Sequence, residues 1–254
     1  MSDSDREPSV RNRALITGSS RGIGAETAVL LAGSGFDVVV NYRDKAPRAE
    51  RTAQRVRDAG GESFAVRADL TDGDAVEAMF EQVVREWGGL DLLVLNASGG
   101  MESGAAEDYA LLLNRDAQVR VLEAAVPLMD PGSRVVFVTS HQAHFIESTP
   151  TMPEYEVVAR SKRAGEIALR ERIPALTERG IDFVIVSGDM IEGTITATLL
   201  ERANPGAIES RREVAGRLYS VQEFAAEVAA AATDPVPADH ERFVGDVTGF
   251  APVA

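Results

Sequence analysis

The sequence of 254 residues contains no cysteine and only two lysines, Lys45 and Lys162, among its 26 basic residues. The lack of cysteine excludes disulfide bonds, thiolate metal sites and a cysteine nucleophile, and no metal site is expected. Acidic residues outnumber basic ones by 40 to 26, so the formal net charge is −14. A chain with this charge repels nucleic acid and anionic membrane surfaces over most of its area, and neither is expected as a partner.

Long apolar runs are also missing, because no stretch of 18 apolar residues is present that could form a membrane-spanning helix. Residues 1–12 lack the apolar segment of a signal peptide, and we expect them to form a short disordered lead-in. Both observations predict a cytoplasmic protein. With 44% hydrophobic residues and no internal repeat or break in composition, residues 13–254 are expected to form one domain around a sizeable core.

Short runs rich in β-branched residues alternate with longer segments of helical periodicity. Several runs are apolar at consecutive positions, which is typical of strands buried on both faces of a parallel sheet. The alternation predicts an α/β chain with a single-domain Rossmann fold, a doubly wound parallel sheet of six to seven strands with helices on both faces. The predicted strands are 13–17, 36–42, 62–70, 90–98, 134–140 and 181–188, with a candidate edge strand at 242–249. The predicted helices are 23–34, 46–59, 73–87, 105–129, 153–179 and 220–233.

Residues 189–219 lack a long apolar period and contain Gly193, Pro205 and Gly206. We interpret this segment as a loop with one or two short helices, placed after the carboxyl end of a strand. Ligands of open α/β sheets bind at that end. Together with residues 141–153, this segment is expected to shape a substrate pocket.

A glycine-rich turn follows the first predicted strand, in the order Thr17-Gly18-Ser19-Ser20-Arg21-Gly22-Ile23-Gly24. Glycines let the backbone approach a diphosphate closely, and the N-terminus of the next helix supplies free N–H groups and the positive end of the helix dipole. The same pattern can belong to an ordinary strand-to-helix turn. Its position between the first strand and a long helix, with a second strand following, favours a dinucleotide site.

With its flanking threonine, this turn resembles the Thr-Gly-x3-Gly-x-Gly signature of the short-chain dehydrogenase/reductase family, and among its members most resembles 3-oxoacyl-acyl-carrier-protein reductases. The resemblance extends along nearly the whole chain and implies a nicotinamide cofactor, a small-molecule carbonyl substrate and a homodimer or homotetramer. The other matching positions are Asp69 beside the adenine, Asn96-Ala97-Ser98-Gly99 after the fourth strand, Asn114 holding a water in a proton relay, Ser140 as the catalytic serine, and Ser187-Gly188 with Thr194 near the nicotinamide carboxamide.

The end of the second predicted strand indicates which nicotinamide cofactor binds. NAD-selective sites place Asp or Glu there to accept a hydrogen bond from the ribose 2′-hydroxyl, and that acid repels a 2′-phosphate. Here the strand ends in Asn41-Tyr42-Arg43, and Arg21 lies in the glycine turn. Because two guanidinium groups can flank a 2′-phosphate, we predict NADP(H). The alternative is that Arg43 is merely solvated and Asp44 turns toward the ribose.

In the family that the sequence resembles, a catalytic tyrosine lies four residues before a lysine on one helix, so both side chains share one face. The tyrosine donates a proton to the carbonyl oxygen as hydride arrives, and a serine orients the carbonyl. Lys162, in VARSKRAGE, matches the lysine. Four residues earlier stands Val158, which has no proton to give.

Three interpretations of this gap stay open. Tyr155, seven residues before Lys162, lies about 10.5 Å away along a helix but on the same face, and can replace the missing tyrosine. His141, His144, or a water held by Lys162 and Asn114, can donate the proton instead. In the third interpretation, the protein binds cofactor without efficient turnover.

The sequence therefore predicts an NADPH-dependent ketoreductase that transfers hydride between nicotinamide and a carbonyl or alcohol substrate. The alternative is a catalytically weak, cofactor-binding protein that acts as a sensor or structural subunit. The predicted catalytic residues are Ser140, Lys162, Asn114 and Tyr155. The predicted cofactor-binding residues are Gly18, Ser20, Arg21, Gly22, Ile23, Gly24, Asn41, Tyr42, Arg43, Asp69, Leu70, Asn96, Ala97, Ser98, Lys162, Gly188 and Thr194.

Overall fold

The computed structural model describes residues 12–101, 106 and 108–250, which are built around one seven-stranded sheet. Its strands are β1 (Asn12–Ile16), β2 (Phe36–Tyr42), β3 (Ser63–Arg67), β4 (Leu92–Leu95), β5 (Arg134–Ser140), β6 (Asp182–Gly188) and β9 (Glu241–Val244), and a separate pair is formed by β7 (Ile191–Glu192) and β8 (Tyr219–Ser220). The helices are α1 (Gly22–Gly33), α2 (Ala46–Asp58), α3 (Gly73–Trp87), α4 (Tyr109–Leu111), α5 (Ala117–Ala125), α6 (His141–His144), α7 (Pro153–Arg170), α8 (Ile173–Glu178), α9 (Ile195–Ala203), α10 (Ala207–Ala215) and α11 (Val221–Ala230).

The sheet has the strand order β3-β2-β1-β4-β5-β6-β9, and all neighbouring strands run parallel. Strand order reverses between β1 and β4, where Ile16 lies opposite both Val40 of β2 and Val94 of β4. Such a reversal opens a crevice at the carboxyl ends of the strands. The predicted Rossmann fold with six to seven parallel strands is confirmed.

Two apolar layers bury the two faces of the sheet. Leu15, Leu93 and Phe183 belong to one layer, which also contains apolar side chains of α3, α5 and α7. Ile16 and Val94 belong to the other, which contains side chains of α1, α2 and α11. Because successive residues of a strand point to opposite faces, a central strand covered on both sides must be apolar at consecutive positions. This requirement explains the apolar runs of β1, β4, β5 and β6.

The predicted helix 105–129 is interrupted. A π-helical turn at Leu112–Asp116 separates α4 from α5, and a 3-10 turn at Val126–Leu128 follows α5. The backbone of this turn packs directly on α7, since a Cβ built on Gly165 would lie only 2.0 Å from the carbonyl oxygen of Asn114. Residues 102–105 and 107 lie outside the described part of the chain.

The predicted helix 153–179 is divided into α7 and α8. Pro174 lies in the first turn of α8, where its missing N–H costs nothing; continuation of α7 through this position would lose a helical hydrogen bond. The predicted loop 189–219 contains two short helices, α9 and α10, as expected. Strand β4 is shorter than predicted because the backbone N–H groups of Asn96 and Ala97 both turn to donate to Thr17 Oγ1.

No helix within the described ranges combines the length and apolarity needed to cross a lipid bilayer. The same part of the chain contains no group of three or more His, Asp or Glu side chains that could hold a metal ion. The predicted lead-in 1–12 falls outside the described residues except for Asn12, which begins β1.

Candidate active site

A cleft of about 630 Å³ opens at the carboxyl ends of the strands, at the predicted crevice. Of the predicted cofactor-binding residues, all except Gly188 line it. A Cβ on Gly188 would lie 2.3 Å from the ring of Phe224, so this glycine makes room for core packing. The threonine at 194 does line the cleft, and its hydroxyl also caps α9 by accepting from Ala197 N at 3.2 Å.

The glycine turn adopts a conformation that needs its glycines. Gly18 and Gly22 have φ of 63° and 58°, in the left-handed region that other residues rarely enter. A Cβ on Gly24 would lie 2.6 Å from Asn96 Nδ2 and 2.9 Å from the Cα of Ser19. Arg21, the residue preceding α1, makes no side-chain capping bond, so the N-terminus of α1 faces the cleft uncapped by a side chain.

Buried polar side chains hold this turn against the neighbouring strands. Thr17 Oγ1 accepts from the N–H groups of Asn96 and Ala97 at 2.9 and 3.0 Å, and Asn96 Nδ2 donates to the carbonyl of Thr17 at 2.9 Å. Asn41 Oδ1 accepts from Gly18 N at 3.0 Å. The side chain of Asn41 therefore shapes the turn although the residue also lines the cleft.

One end of the cleft is cationic. The cleft is lined there by Arg21, Arg43, Lys45 and Arg48. The cofactor-binding residues predicted from the sequence did not include Lys45 and Arg48, although both follow β2 within a few residues. Arg43 Nε donates to Asp44 at 2.7 Å, and this hydrogen bond holds the pKa of Asp44 below its ordinary value. Asp44 is thus already paired rather than free to bind a ribose.

Tyr109 contacts Arg43 at the cationic end of the cleft, and it is not among the residues predicted from the sequence. Its hydroxyl accepts a hydrogen bond from Arg43 Nη1, and its ring centroid is 5.8 Å from the guanidinium carbon. Asp69 lies at the same end, with Oδ1 accepting from the N–H and hydroxyl of Thr71 at 3.0 and 2.7 Å. A planar ring and a carboxylate thus border the place where the resemblance expects adenine.

At the other end of the cleft, Ser140 ends β5 and Tyr155 lies in the first turn of α7, which begins with Pro153. Ser140 Oγ and the Tyr155 hydroxyl are 3.2 Å apart, within hydrogen-bonding distance, and both residues are buried. Lys162 also lines the cleft; it is only 9% exposed and makes no hydrogen bond or ion pair with any described residue. A buried, unpaired ammonium costs free energy unless a ligand bonds to it.

Val158, at the position four residues before Lys162, packs in an apolar cluster with Ala143, Tyr155 and Ala159. Its Cγ2 would lie 3.2 Å from a Cβ on Gly100. The side chain therefore fills space beside Tyr155 without supplying a polar group.

Asn114 does not line the cleft. Its Nδ2 donates to the carbonyl of Gly99 at 2.8 Å and to Ser161 Oγ at 2.9 Å, and its Oδ1 accepts from Gly99 N at 3.2 Å. The side chain thus joins the loop after β4 to the residue preceding Lys162.

The two histidines after Ser140 lie outside the cleft lining. His141 is fully buried, with Nδ1 2.8 Å from Ser187 Oγ and Nε2 3.2 Å from the carbonyl of Val244; burial lowers its pKa to about 4. His144 Nδ1 is 2.8 Å from the buried carboxylate of Glu166. Both histidines thus make these hydrogen bonds to residues that do not line the cleft.

A comparison with protein families decides the classification. The model of the short chain dehydrogenase family matches residues 12–204. The chain belongs to the short-chain dehydrogenase family. Within the matched residues, Val158 lies four positions before Lys162 and Tyr155 lies seven positions before it.

Two curated members illustrate the similarity in sequence. A 1-cyclohexenylcarbonyl-CoA reductase of Streptomyces collinus is 35% identical over 188 residues, which cover 72% of this chain and 65% of that protein. The 3-oxoacyl-[acyl-carrier-protein] reductase FabG of Staphylococcus aureus is 45% identical over 84 residues, covering 33% of this chain and 34% of the relative. The matches thus span between 34% and 65% of these relatives' own length.

Solved structures are similar over most of the chain. The angucycline C-6 ketoreductase LanV with bound NADP has a TM-score of 0.74 at 28% identity, covering 88% of this chain and 89% of that one. A short chain dehydrogenase from Burkholderia cenocepacia in complex with NADP also has a TM-score of 0.74 at 28% identity, covering 87% and 90%. Both structures thus share the fold of this family member.

Proposed function

We propose that this protein is an NADPH-dependent ketoreductase that transfers hydride between nicotinamide and a carbonyl or alcohol substrate. The observation that carries the proposal is the 3.2 Å contact between Ser140 Oγ and the Tyr155 hydroxyl in the wall of the cleft. Two hydroxyl groups in contact can both bond to one carbonyl oxygen, and a positioned general acid accelerates such a reduction. The keto-reducing relatives with bound NADP support the same reaction class.

The residues of the cleft fit NADP(H). The glycine turn leaves no room for a Cβ at Gly24, and the cationic end suits a 2′-phosphate in a chain of net charge −14. The side chain of Lys162 is buried and has no hydrogen-bond or ion-pair partner among the residues that the structure describes. We assign the diphosphate to the N-terminus of α1, the 2′-phosphate to Arg21 and Arg43 with Lys45 and Arg48, and the nicotinamide-side ribose to Lys162. The cofactor supplies hydride when bound.

Tyr155 is the proposed proton donor, and Ser140 is proposed to orient the carbonyl by donating a hydrogen bond to its oxygen. The ammonium of Lys162 favours the negative charge that the tyrosine oxygen acquires as it gives up its proton. Asn114 is assigned a positioning role: its bonds to Gly99 and Ser161 fix the segment of α7 that carries Lys162.

A tyrosine variant tests this function. Oxidation of NADPH, followed by its absorbance across a panel of ketones and quinones, should slow by about 10²- to 10⁴-fold in Tyr155→Phe, since this variant loses the general acid but keeps the ring. Tyr219→Phe is the matched control, because Tyr219 is partly buried and does not line the cleft. Equal activity of Tyr155→Phe and wild type would exclude Tyr155 as the donor.

A second candidate reaction is reduction of a carbon–carbon double bond conjugated to a thioester carbonyl. Two observations favour it. The first is the 35% identity to the 1-cyclohexenylcarbonyl-CoA reductase. The second is the position of Tyr155, which is three residues, or about 4.5 Å along the helix, farther from Lys162 than Val158 is. Hydride would add to the alkene carbon remote from the carbonyl, the electron pair would move to oxygen, and Tyr155 would protonate that oxygen. The resulting enol would then tautomerise, with loss of the oxygen-bound proton and protonation of the carbon next to the carbonyl, to the saturated thioester. Comparing 2-enoyl-CoA with 3-oxoacyl-CoA substrates in the same assay distinguishes the two reactions.

The non-enzymatic alternative, a cofactor-binding sensor or subunit, predicts saturable NADPH binding without turnover of any substrate in the panel. Calorimetric titration with NADPH beside the absorbance assay separates it from the reductase. The homodimer or homotetramer that the family resemblance implies is tested by light scattering on the purified protein.

A further inference from the structure

A polar cluster lies in the cleft wall beside the Ser140–Tyr155 pair and is not used in the proposed chemistry. Gln142 belongs to α6, two residues after Ser140, and Asp189 follows the carboxyl end of β6. Both line the cleft and are largely buried, with exposures of 6% and 9%. Arg211 of α10 completes the cluster through an ion pair with Asp189.

Asp189 is held by several donors. Its Oδ1 accepts from Gln142 Nε2 at 2.6 Å and from the N–H of Met190 at 2.6 Å, and its oxygens accept from Arg211 Nε and Nη2 at 2.7 to 2.9 Å. The guanidinium of Arg211 also stacks on Phe250, at 4.4 Å from the ring centroid. These donors offset the free-energy cost of burying the carboxylate group.

The carboxylate fixes the orientation of the Gln142 amide. Rotating the amide by half a turn would place its oxygen against the Asp189 oxygen, two acceptors with no proton between them. The NH₂ group therefore faces Asp189, and the amide oxygen is left without a hydrogen-bond partner among the described residues. The structure thus presents a fixed acceptor in the wall of the cleft.

The surroundings of this acceptor are apolar. Met152, Met190, Ile195 and Leu200 line the same cleft, and Met190 and Leu200 belong to one apolar cluster with Tyr155. Gln142 Oε1 is not among the buried side-chain atoms without a partner in the described residues, so water can reach it in the open cleft. A ligand that displaces this water with a hydrogen-bond donor keeps the acceptor paired, whereas a ligand without a donor leaves it unpaired at a cost in free energy. The wall selects for a ring or chain that is apolar except at one hydrogen-bond donor.

Resting on the proposed function, we infer that Gln142 determines substrate specificity: its amide oxygen accepts a hydrogen bond from a hydroxyl group of an otherwise apolar ketone. Asp189 and Arg211 act through Gln142 by fixing its orientation. Sites built to bond a substrate hydroxyl discriminate strongly against analogues that lack the donor, because the buried protein group then stays unpaired.

Matched ketones test this inference. The probes are hydroxy-1-tetralones whose hydroxyl is remote from the carbonyl, each paired with its methyl ether, which keeps the ring but removes the donor. For at least one pair, wild type should prefer the hydroxy compound by about tenfold in kcat/KM, and Gln142→Leu should abolish the preference. Gln222→Leu, an identical change at an exposed position of α11 outside the cleft lining, should retain it.

Absence of a preference in wild type, or retention of it in Gln142→Leu, would overturn the inference. A variant whose activity falls equally on both members of a pair would also overturn it, because the loss of a purely structural side chain lowers the activity on both ketones. Gln142→Met, close to glutamine in volume, replaces the leucine variant if that one does not fold. If wild type reduces no ketone, the reductase proposal fails separately; dissociation constants of the same pairs, measured with NADP(H) present, then decide the role of Gln142.

Discussion

Arg43 is one of the residues to which we assign the 2′-phosphate of the cofactor. It lines the cleft at the end of β2, 43% exposed at the side chain, and its guanidinium is paired with Asp44. A 2′-phosphate offers this guanidinium a charge-assisted, bidentate partner. In Arg43→Ala, the dissociation constant of NADPH should rise by about tenfold or more, while that of NADH changes little, as measured by fluorescence titration of both cofactors.

Arg51→Ala is the matched control for this prediction, because Arg51 is exposed on α2 but does not line the cleft. This variant tests whether the loss of any positive charge near the cationic end weakens NADPH binding through long-range electrostatic attraction to the cofactor phosphates. Equal weakening in both variants, or equal weakening of NADH in Arg43→Ala, would contradict the assignment of the 2′-phosphate to Arg43.

Individual site residues were predictable from sequence where a strand end or a motif fixes their place. Ser140 and Arg43 follow apolar runs, so the parallel sheet brings them to the same edge. Tyr109 was not predicted because its partner Arg43 is 66 positions away in the sequence. The placement of His141 was also not predictable, since its two partners lie 46 and 103 residues away.

The turn between β1 and α1 has a geometry that depends on its glycines. Gly24→Ala would place a methyl group 2.6 Å from Asn96 Nδ2 and 2.9 Å from a backbone atom, and overpacking of this kind costs about 1–3 kcal/mol. We expect a lower free energy of unfolding in urea and weaker cofactor binding together. Gly33→Ala, in the same helix with open space around the Cβ, should instead be neutral or stabilise by about 0.5–1 kcal/mol.

Equal stability of the two glycine variants would mean that the turn relaxes to admit the methyl group at position 24. Loss of stability in Gly24→Ala with unchanged binding of NADPH would separate the packing role of this glycine from the proposed diphosphate site. Both outcomes are read from the same pair of measurements.

Helix boundaries were less predictable than helix positions. The segment 105–129 has a continuous apolar period, yet its regular α-helix is interrupted at Leu112–Asp116 where the backbone meets Gly165. That contact joins residues 51 positions apart and leaves no local signal. The division of α7 from α8, by contrast, has a local cause in Pro174. This residue is visible in the sequence and disfavours a continuous helix through its position.

At the scale of the whole molecule, the buried imidazole of His141 links stability to pH. Its pKa is about 4 in the folded protein and 6.5 when unperturbed. As pH falls from 6.5 toward 4, the unfolded chain takes up a proton that the folded protein does not, so the free energy of unfolding falls. The loss attributable to this group between pH 7 and pH 5 is about 2 kcal/mol.

Urea unfolding at pH 7 and pH 5 checks this prediction. His141→Gln should show a smaller difference between the two pH values than wild type, whatever its absolute stability. His240→Asn is the control, because it removes another histidine at a position whose φ of 62° asparagine tolerates. The difference between the two pH values should decrease more in His141→Gln than in this control. An unchanged pH dependence in His141→Gln would show that His141 is not the linked group.

The overall architecture was predictable because it depends on patterns that extend along the chain. Apolar runs alternating with helices specify a parallel sheet, and right-handed crossovers then leave few strand orders. The edge strand β9 was predicted at 242–249 and lies at Glu241–Val244. The shape of the cleft wall was not predictable, since it depends on how α9 and α10 fold over the sheet and pair through Arg211 with Asp189.

Because lysine is scarce in this chain, reagents that react with primary amines can probe the cleft selectively. Both lysines of the chain, Lys45 and Lys162, line it, the first exposed and the second buried. Acylating reagents that modify primary amines will therefore label no side chain elsewhere on the protein. The number of adducts, counted by intact-protein mass spectrometry, then reports whether a ligand occupies the cleft. Labelling of the terminal amine serves as an internal reference for the reactivity of the reagent.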